Sequence, residues 1–337
     1  MEFTSIAHGP HDIRQALTPD EVQAACERAF GHDVVVESAH ELAGGAFNST
    51  YLIHLAGRAP VVLRVAPPPE CDLPWHEANL MRHEHAIQPY LAPIAPLLPT
   101  TLMIDFTHLI LPRDYLFQSF MPGEQWKSIA DQLSPQDEER LWRELARILQ
   151  TIHGVEGEAF GVPDSTRRFP TWSAAVLDWL ARSLADAQRA RLDTENIQRL
   201  RELAQARADL LDEINVPRLL HGDLWPVNIL VERGESGESG ARISAVLDSD
   251  RVSWGDPLAD WTFYLLPRGT TERVQAIFWD EYGARETTLG ARFRAGVYEG
   301  LNISNVLSDM RRNGRMDLES QAQGELRAVV AALREMR

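Results

Sequence analysis

Three oxygen-bearing side chains in the second half of this 337-residue chain have types and spacing that could do chemistry together. Residues 219–231 pass from an apolar run through a polar loop that carries Asp223 and Asn228, and then return to an apolar run. Asp248 ends another apolar run, 20 residues after Asn228. Mg²⁺ prefers such oxygen ligands, combined with substrate phosphates. We therefore expect Asn228 and Asp248 to hold a magnesium ion.

Asp223 lies five residues before Asn228 on the same loop and has a different expected role. It can accept a hydrogen bond from an attacking hydroxyl group and orient it, as the loop aspartate does in the phosphoryl-transfer site of kinases. Asp and Asn are also common turn residues, so each one alone predicts only a turn. The three together, in this order beside apolar strands, favour phosphoryl transfer.

Two regions of different periodicity must position these side chains. The first contains β-rich runs, which predict strands at 34–36, 50–55, 61–65, 97–104 and 115–120. Residues 121–123 break this pattern, and helical periodicity dominates beyond them, with long helices predicted at 172–190 and 193–214. The sequence predicts an α+β fold of two domains, a mostly β domain at 1–120 and a mostly α domain at 121–337. The Gly/Ser-rich residues 234–240 predict an exposed hairpin tip.

The charge balance argues against two classes of partner. Lys and Arg total 33 against 49 Asp and Glu, a formal net charge of −16. Such a surface repels nucleic-acid phosphates and anionic lipid, so we expect neither as a partner. Lys127 is the only lysine, so a mechanism that needs a lysine must use it or an arginine instead. The acidic candidates of the C-terminal region are Asp280, Glu281, Glu299 and Asp309, and most of them are expected on solvated helix faces.

Cysteine content and hydropathy indicate the compartment. Cys26 and Cys71 are too few for a disulfide framework and lack metal-site spacing. Residues 1–14 contain no apolar leader segment. The most apolar stretch, 92–112, is interrupted by several prolines and by Asp105, so it does not predict a membrane-spanning helix. We expect a soluble, cytoplasmic protein.

Three motifs resemble those of the aminoglycoside phosphotransferase family, whose relatives include choline, fructosamine and homoserine kinases. They are HGDLWPVN at 221–228, LDSD at 247–250 and GDPLAD at 255–260. A weaker resemblance extends from about residue 41 to about residue 264. It implies a protein-kinase-like bilobal fold. A small antiparallel β N-lobe at 1–120 would bind nucleotide, and a large, mainly α C-lobe at 121–337 would carry the catalytic loop, the metal site and the acceptor pocket.

The resemblance also implies an activity. The enzyme would use ATP (or GTP) and Mg²⁺ and would transfer the γ-phosphate to a hydroxyl of a small acceptor, cationic or not. Asp223 would be the catalytic residue, whereas His221 and Asp260 would brace its loop. Trp225 stands where aminoglycoside enzymes often have His and is more like the fructosamine kinases, so the acceptor class stays open.

The resemblance assigns the nucleotide phosphates to a glycine-containing loop and to one arginine. The loop residues are Gly45, Asn48, Ser49 and Thr50. Glycine lets backbone N–H groups approach phosphate oxygens closely. Arg64 stands where the fold usually places a phosphate-binding lysine, and a guanidinium group can also pair bidentately with phosphate.

Arg64 would need a carboxylate partner from the following helix. Glu77 and Glu84 are the candidates, since they are seven residues apart and roughly on one helical face, with Glu84 slightly favoured. Residues 116–123 resemble the adenine-binding hinge of the family. There the Ser119 carbonyl and the Met121 amide would bond the purine edge.

Other functional classes stay open at this point. A catalytically weak nucleotide-binding scaffold, a pseudokinase, would explain the absence of the usual lysine. A metal-dependent hydrolase could use the same carboxylates, but it gives no reason for the glycine-containing loop and the hinge. A protein kinase is disfavoured because the segment that would match Asp-Phe-Gly is Asp248-Ser249-Asp250. Among small-molecule kinases the sequence does not choose between an antibiotic, a sugar amine, an amino alcohol or another metabolite, and it leaves the oligomeric state open.

Overall fold

The structure, a computed structural model, describes residues 1–9, 12–45, 47–163, 167–234 and 240–336. Ala46 of the glycine-containing loop lies outside the described residues, and so does most of the predicted hairpin tip, 235–239. The α+β fold class is confirmed, with an antiparallel-dominated sheet in the N-terminal part and mainly helices in the C-terminal part.

Contacts between residues divide the chain into two compact units. The first comprises Met1–Leu73 and Leu98–Pro122, and the second comprises Pro74–Leu97 and Gly123–Arg337. The first unit therefore ends two residues after the boundary expected at residue 120. Pro74–Leu97 groups with the second unit because its helix packs on the turn at Ser249–Arg251 and its following 3₁₀ segment packs on Pro135–His153 and Arg242–Val246.

The first unit is built on a six-stranded sheet of order β1-β2-β3-β4-β6-β5. The strands are β1 Glu2–Thr4, β2 Val36–Glu41, β3 Ser49–Leu55, β4 Val61–Val65, β5 Thr101–Asp105 and β6 Tyr115–Ser119. β1 and β2 are parallel, and the other neighbours are antiparallel. The predicted strands match within one residue except at two runs. The strand of the first run begins where residues 34–36 end and continues to Glu41. The strand expected at 97–104 begins only at Thr101, because the 3₁₀ segment Gln88–Leu97 precedes it.

One face of this sheet carries the apolar core of the first unit. Side chains of successive strand residues point to opposite faces, and on β3 Tyr51, Ile53 and Leu55 are buried with residues of helix α1, Pro19–Phe30. The opposite face of the central strands carries Thr50 and Arg64, which are paired across β3 and β4. The alternation therefore places Arg64 away from the apolar core.

The second unit is mainly helical, with two small sheets. Its helices are α2 Leu80–Ile87, α3 Trp126–Ile129, α4 Pro135–His153, α5 Trp172–Arg189, α6 Glu195–Ala206, α7 Ala208–Leu211, α8 Trp261–Gly269, α9 Glu272–Tyr282, α10 Leu289–Arg312 and α11 Met316–Glu335. Apolar faces of α5, α6, α10 and α11 form its main core. The helix predicted at 193–214 is interrupted at Arg207, whose φ of −122° and ψ of 40° are not helical.

The sheets of the second unit frame the loop with the predicted catalytic residues. One has the order β10-β13-β8-β9 and the other the order β12-β11-β7. Their strands are β7 Glu124–Gln125, β8 Phe160–Gly161, β9 Arg168–Phe169, β10 Arg218–Leu220, β11 Ile229–Glu232, β12 Arg242–Val246 and β13 Ser253–Gly255. None of the helices in the described parts of the chain is long and apolar enough to span a membrane.

Candidate active site

The loop between β10 and β11 brings Asp223 and Asn228 into direct contact. β10 ends at Leu220, a short 3₁₀ turn covers Pro226–Asn228, and β11 begins at Ile229. The side-chain amide of Asn228 donates to Asp223 Oδ2 at 2.8 Å and to the Asp223 carbonyl at 3.0 Å. The loop is thus closed on itself by one side chain, which fixes the carboxylate and the amide relative to each other.

Sheet pairing brings Asp248 to the same place. β11 and β12 are antiparallel, with Ile229 opposite Val246, and the Leu247 N–H donates to the Asn228 carbonyl at 2.8 Å. Asp248 is the next residue and adopts a left-handed conformation, φ 54° and ψ 56°. Its charge acts on Asp223. The structure therefore assembles the three side chains that the sequence singled out.

The carboxyl group of Asp223 is perturbed by its surroundings. Burial raises its pKa to about 7, and the nearby charge of Asp248 acts in the same direction. Arg251 and the hydrogen bond from Asn228 oppose this rise. A carboxyl group of raised pKa in a cavity wall is a common property of active sites.

A buried hydrogen-bond network braces the loop from behind. Asp260 accepts from the backbone N–H of His221 at 2.8 Å and from that of Gly222 at 3.3 Å. His153 bridges Asp260, 3.1 Å from its Nε2, and the Tyr282 hydroxyl, 2.6 Å from its Nδ1. Although burial opposes the charge of Asp260, the hydrogen bond and charge of His153 lower its pKa. The sequence indicated the brace by Asp260 but not the contact that His153 makes with it.

His221 is a structural member of this loop. It is fully buried, and its Nδ1 accepts from the backbone N–H of Asp223 at 3.3 Å. Burial lowers the pKa of His221, although Asp260 and Asp248 oppose the shift. The imidazole is therefore neutral, and its proton is on Nε2 because Nδ1 is the acceptor. Its Nε2 has no hydrogen-bond partner among the described residues, and the ring positions the Asp223 carboxylate by holding its backbone.

Glycine is required at position 222 by geometry. Gly222 has a φ of +77°, and a Cβ there would lie 2.2 Å from the Arg251 carbonyl oxygen. Residues with a side chain rarely adopt this conformation. Gly222 thus lets the turn Ser249–Arg251, which follows Asp248, pack directly on the catalytic loop.

The donor set fits a hard divalent cation. Asn228 uses its amide nitrogen on Asp223, so its Oδ1 is left for another contact, and Asp248 supplies a carboxylate. Amide and carboxylate oxygens are suitable ligands for Mg²⁺. A second group of possible ligand atoms, His76, Glu77 and Asp309, is less suited, because Glu77 is already ion-paired with Arg312 and with Arg251.

In the first unit, the predicted phosphate loop is held by internal bonds. Gly44 has a φ of +105°, and Arg14 donates to the Gly45 carbonyl. Ser49 lies on the core face of β3 and donates to the Gln15 carbonyl at 2.9 Å. Asn48 is buried, and within the described residues its Oδ1 has no hydrogen-bond partner. Arg14 supports the loop but was not singled out from the sequence.

Three further residues predicted to contact the nucleotide, Arg64, Ser119 and Met121, lie on or next to the central strands of the first unit. Arg64 is opposite Thr50 on β3 and opposite Leu116 on β6, and is 6% exposed. Ser119 ends β6, and its hydroxyl accepts from the Thr100 N–H at 2.9 Å. Met121 follows in the segment after that strand.

The two glutamates considered as partners of Arg64 both belong to the second unit. Glu84 is on α2 and is 3% exposed. Glu77 precedes that helix and is engaged by Arg312 and Arg251. The carboxylate of Glu77 is therefore committed inside its own unit.

Asp223 faces a cavity of about 420 Å³ within the second unit. Its wall includes one face of α10, with Tyr298, Asn302, Asn305 and Asp309 at helical spacing. Asp309, one of the acidic candidates named from the sequence, lines the cavity. The expectation of a solvated face fits Asp280, whose side chain is 71% exposed. Asn302 and Asn305 were not found from the sequence, because a polar residue in a helix does not reveal which face it occupies.

Comparison with known proteins identifies the family of the chain. The model of the phosphotransferase enzyme family (APH) matches residues 38–295. An apo crystal structure of a thermostable mutant of aminoglycoside phosphotransferase APH(4)-Ia has a TM-score of 0.65 at 20% identity, covering 92% of this chain and 98% of that one. Another structure of a thermostable mutant of that enzyme, a ternary complex with AMP-PNP and hygromycin B, has a TM-score of 0.64 at 20% identity, with the same coverage.

A further similar structure is the GDP complex of wild-type aminoglycoside 2'-phosphotransferase-IIIa, with a TM-score of 0.63 at 17% identity, covering 94% of this chain and 99% of that one. None of the curated proteins matches the chain. The structural similarities confirm the protein-kinase-like fold, and the family match covers most of the chain, including the loop of Asp223 and the motif of Asp256. The chain belongs to the phosphotransferase enzyme family.

Proposed function

We propose that this phosphotransferase transfers the γ-phosphate of ATP (or GTP) to a hydroxyl group of a small acceptor bound beside Asp223. The observation that carries the proposal is the contact of Asn228 with Asp223, with Asp248 joined to the same loop through the Leu247 N–H. Similar structures bind AMP-PNP and GDP, which supports a nucleotide donor but does not choose between the two bases.

Five residues of the second unit have defined parts in this proposal. The Asp223 carboxylate accepts the hydrogen bond of the acceptor hydroxyl and orients its oxygen for attack, as in other phosphoryl transfers. Asn228 Oδ1 and the Asp248 carboxylate hold Mg²⁺. When bound, the ion neutralises charge on the β- and γ-phosphates. The network of Asp260 and His221 keeps the Asp223 backbone in place.

The residues of the first unit are proposed to bind the nucleotide. Gly45 contributes backbone N–H groups, Asn48 and Thr50 contribute side-chain donors, and Ser49 anchors the loop through its bond to Gln15. Arg64 pairs with a phosphate, because a guanidinium group can pair bidentately with phosphate oxygens.

Two further assignments complete the nucleotide site. We assign Glu84 as the carboxylate that positions Arg64, because Glu77 is engaged by Arg312. The Ser119 carbonyl and the Met121 amide are the proposed contacts of the base. Cys26 and Cys71, which are thiols rather than a disulfide, suit the reducing cytoplasm, where we propose to place the enzyme.

Turnover of the Asp223→Asn variant tests the proposal. Phosphorylated product is measured with labelled ATP and Mg²⁺ over hydroxylated acceptors that include aminoglycosides, sugar amines, amino alcohols and neutral sugars. The change should lower kcat by about 10²–10⁴ with nucleotide binding preserved, the usual effect of removing a positioned base. Asp280→Asn, at an exposed position, is the matched control and should keep full activity.

Three outcomes would contradict the proposal. Unchanged turnover of Asp223→Asn would remove the assigned role of the carboxylate. Nucleotide binding without product over the whole panel would indicate a binding scaffold. Phosphate release that needs no nucleotide would indicate a hydrolase.

A further inference from the structure

The cavity beside Asp223 has a wall whose charges are largely paired within the protein. Asp178 accepts from Arg167 at 2.7 Å and from Arg182 at 2.8 Å. These three side chains line the cavity together, so this side of the wall has no unpaired negative charge. An amine of a ligand would have to compete here with two guanidinium groups that already hold the carboxylate.

The pairing is looser on the opposite side, at α10. Asp309 lies 3.6 Å from His76 Nε2 and 3.5 Å from Arg312, and its Oδ1 has no hydrogen-bond partner among the described residues. Arg251 also lines the cavity. Its guanidinium group lies 3.4 Å from the Glu77 carboxylate and interacts with the charges of Asp223 and Asp250.

The formal charge of the wall is therefore small. Of its ionised side chains, four are acidic and three are basic, a net charge of −1: Asp178, Asp223, Asp250 and Asp309 against Arg167, Arg182 and Arg251. The chain as a whole has a formal charge of −16, so its acidity is not concentrated in this cavity. A polycation is attracted by unpaired carboxylates, and this wall offers few.

Neutral hydrogen-bonding groups lie where a ligand would meet α10. Asn305 Oδ1 accepts from the Ser183 hydroxyl at 2.6 Å, which orients the Asn305 amide nitrogen away from Ser183 as a donor. The Ser183 oxygen also accepts from the Trp75 indole N–H at 3.1 Å, so this corner is rigid. Asn302, one helical turn earlier, makes no side-chain hydrogen bond within the described residues. Amide groups of this kind match the hydroxyl groups of a neutral ligand.

Aromatic rings form much of the remaining wall. Trp75 and Trp179 are stacked with ring centroids 6.1 Å apart, and Trp261 and Tyr298 also face the cavity. Ring faces and edges of this kind suit the apolar C–H faces of a cyclic ligand. A volume of about 420 Å³ is within the range for small-molecule sites.

From these contacts we infer that the acceptor is a neutral polyhydroxylated ring compound, of the glycoside or cyclic polyol class, rather than a polyamine-bearing one. The inference rests on the proposed function, since it names the acceptor of that site. Asn302 and Asn305 are its specificity-determining residues, and they bind hydroxyl groups that do not react.

Paired ligands test the inference. Methyl β-D-glucoside, maltose and a phenyl β-glucoside are compared with glucosamine, a 2-amino analogue of the phenyl glucoside and hygromycin B. Binding is measured by quenching of tryptophan fluorescence, and phosphorylation by kcat/KM with labelled ATP. We expect the neutral members to be favoured at least tenfold over their aminated counterparts in both measurements.

A charge variant gives an independent readout. Asn302→Asp adds one unpaired carboxylate to the wall and should shift the preference by about tenfold towards the aminated ligands. Gln188→Glu adds the same charge at an exposed position outside the cavity wall and should shift nothing. A purely structural role of Asn302 would weaken both ligand classes equally.

The outcomes separate this inference from the proposed function. Preference for hygromycin B or for the amino sugars, or no binding of any neutral ligand at millimolar concentration, would overturn the acceptor class. In that case the Asp223-dependent turnover of nucleotide with another acceptor would leave the proposed function standing. Binding of neutral rings without phosphorylation would have the opposite meaning, since the acceptor class would stand and the proposed reaction would fail.

Discussion

Replacing Arg294 by methionine is expected to destabilise the protein more than any surface change on the same helix. Arg294 is 1% exposed and pairs with Asp256 at 2.9 Å. Asp256 is itself buried and also accepts from the Tyr298 hydroxyl at 2.8 Å. Methionine has a similar length and fills part of the space, so the main effect is the loss of the cation.

The expected loss of stability follows from the buried charge of Asp256, which remains when Arg294 is removed. Removing one partner of a buried ion pair typically costs about 3–5 kcal/mol, because the other charge remains buried without compensation. Glu213 and Glu286, which also contact Arg294, are about half exposed and return to solvent at little cost. Asp256 cannot do so, and we therefore expect the free energy of unfolding to fall by about 3–5 kcal/mol at neutral pH.

The penalty should depend on pH. Burial raises the pKa of Asp256 above its usual value even with Arg294 present, and without the guanidinium it rises further. A carboxyl group whose folded-state pKa is raised favours folding below its unfolded pKa, and this advantage is lost as the pH rises through the folded pKa. The cost of Arg294→Met should therefore shrink as the pH approaches 4 and grow towards neutrality.

Urea unfolding followed by circular dichroism at several pH values measures this effect. Arg292→Met is the matched control, because Arg292 is exposed on the same helix, and it should change stability by less than about 0.5 kcal/mol. Asp256→Asn combined with Arg294→Met should recover part of the loss, since no buried charge remains. A loss below 1 kcal/mol at pH 7, or a loss independent of pH, would refute the reasoning.

Three further predictions concern other parts of the chain. Gly222→Ala should lower kcat by about 10²-fold, because a Cβ would displace the loop of Asp223. Gly57→Ala, at a φ of +68° in open space, should keep kcat, and equal kcat values for the two variants would contradict the prediction. Thr18→Ala should lower the free energy of unfolding by about 1 kcal/mol, as it removes the capping box of α1, and an unchanged denaturation midpoint would count against it. In thiol labelling at pH 8, Cys71 should react and Cys26 should not, since burial raises the pKa of Cys26 to about 12; labelling of Cys26 in the folded protein would disprove this.

Local sequence signals predicted most of the strands and placed Asp223 and Asn228 on one loop between apolar runs. The loop of Asp223 and Asn228 closes through contacts only five residues apart, so its sequence contains most of the information. The alternation in β3 and β4 likewise follows from local pattern, and it correctly separates Arg64 from the core residues around it.

Contacts between distant residues could not be predicted in the same way. Glu77 pairs with Arg312, 235 positions later, and nothing local to either residue indicates this. For that reason the sequence alone could not decide between Glu77 and Glu84. The contact of His153 with Asp260 could not be predicted for the same reason, because it joins segments 107 positions apart.

Tyr298 and Asn302, two residues of α10 that line the cavity, differ in how strongly a substitution would affect the fold. Tyr298 is tied through its hydroxyl to Trp172 and to the buried pair of Asp256 and Arg294, so a substitution there disturbs the folding core. Asn302, one turn further on, has no such ties within the described residues, and replacing it leaves that core intact. A single substitution at Asn302 can therefore reshape the wall of the cavity while the loop of Asp223 and the buried ion pair behind Tyr298 are inherited unchanged.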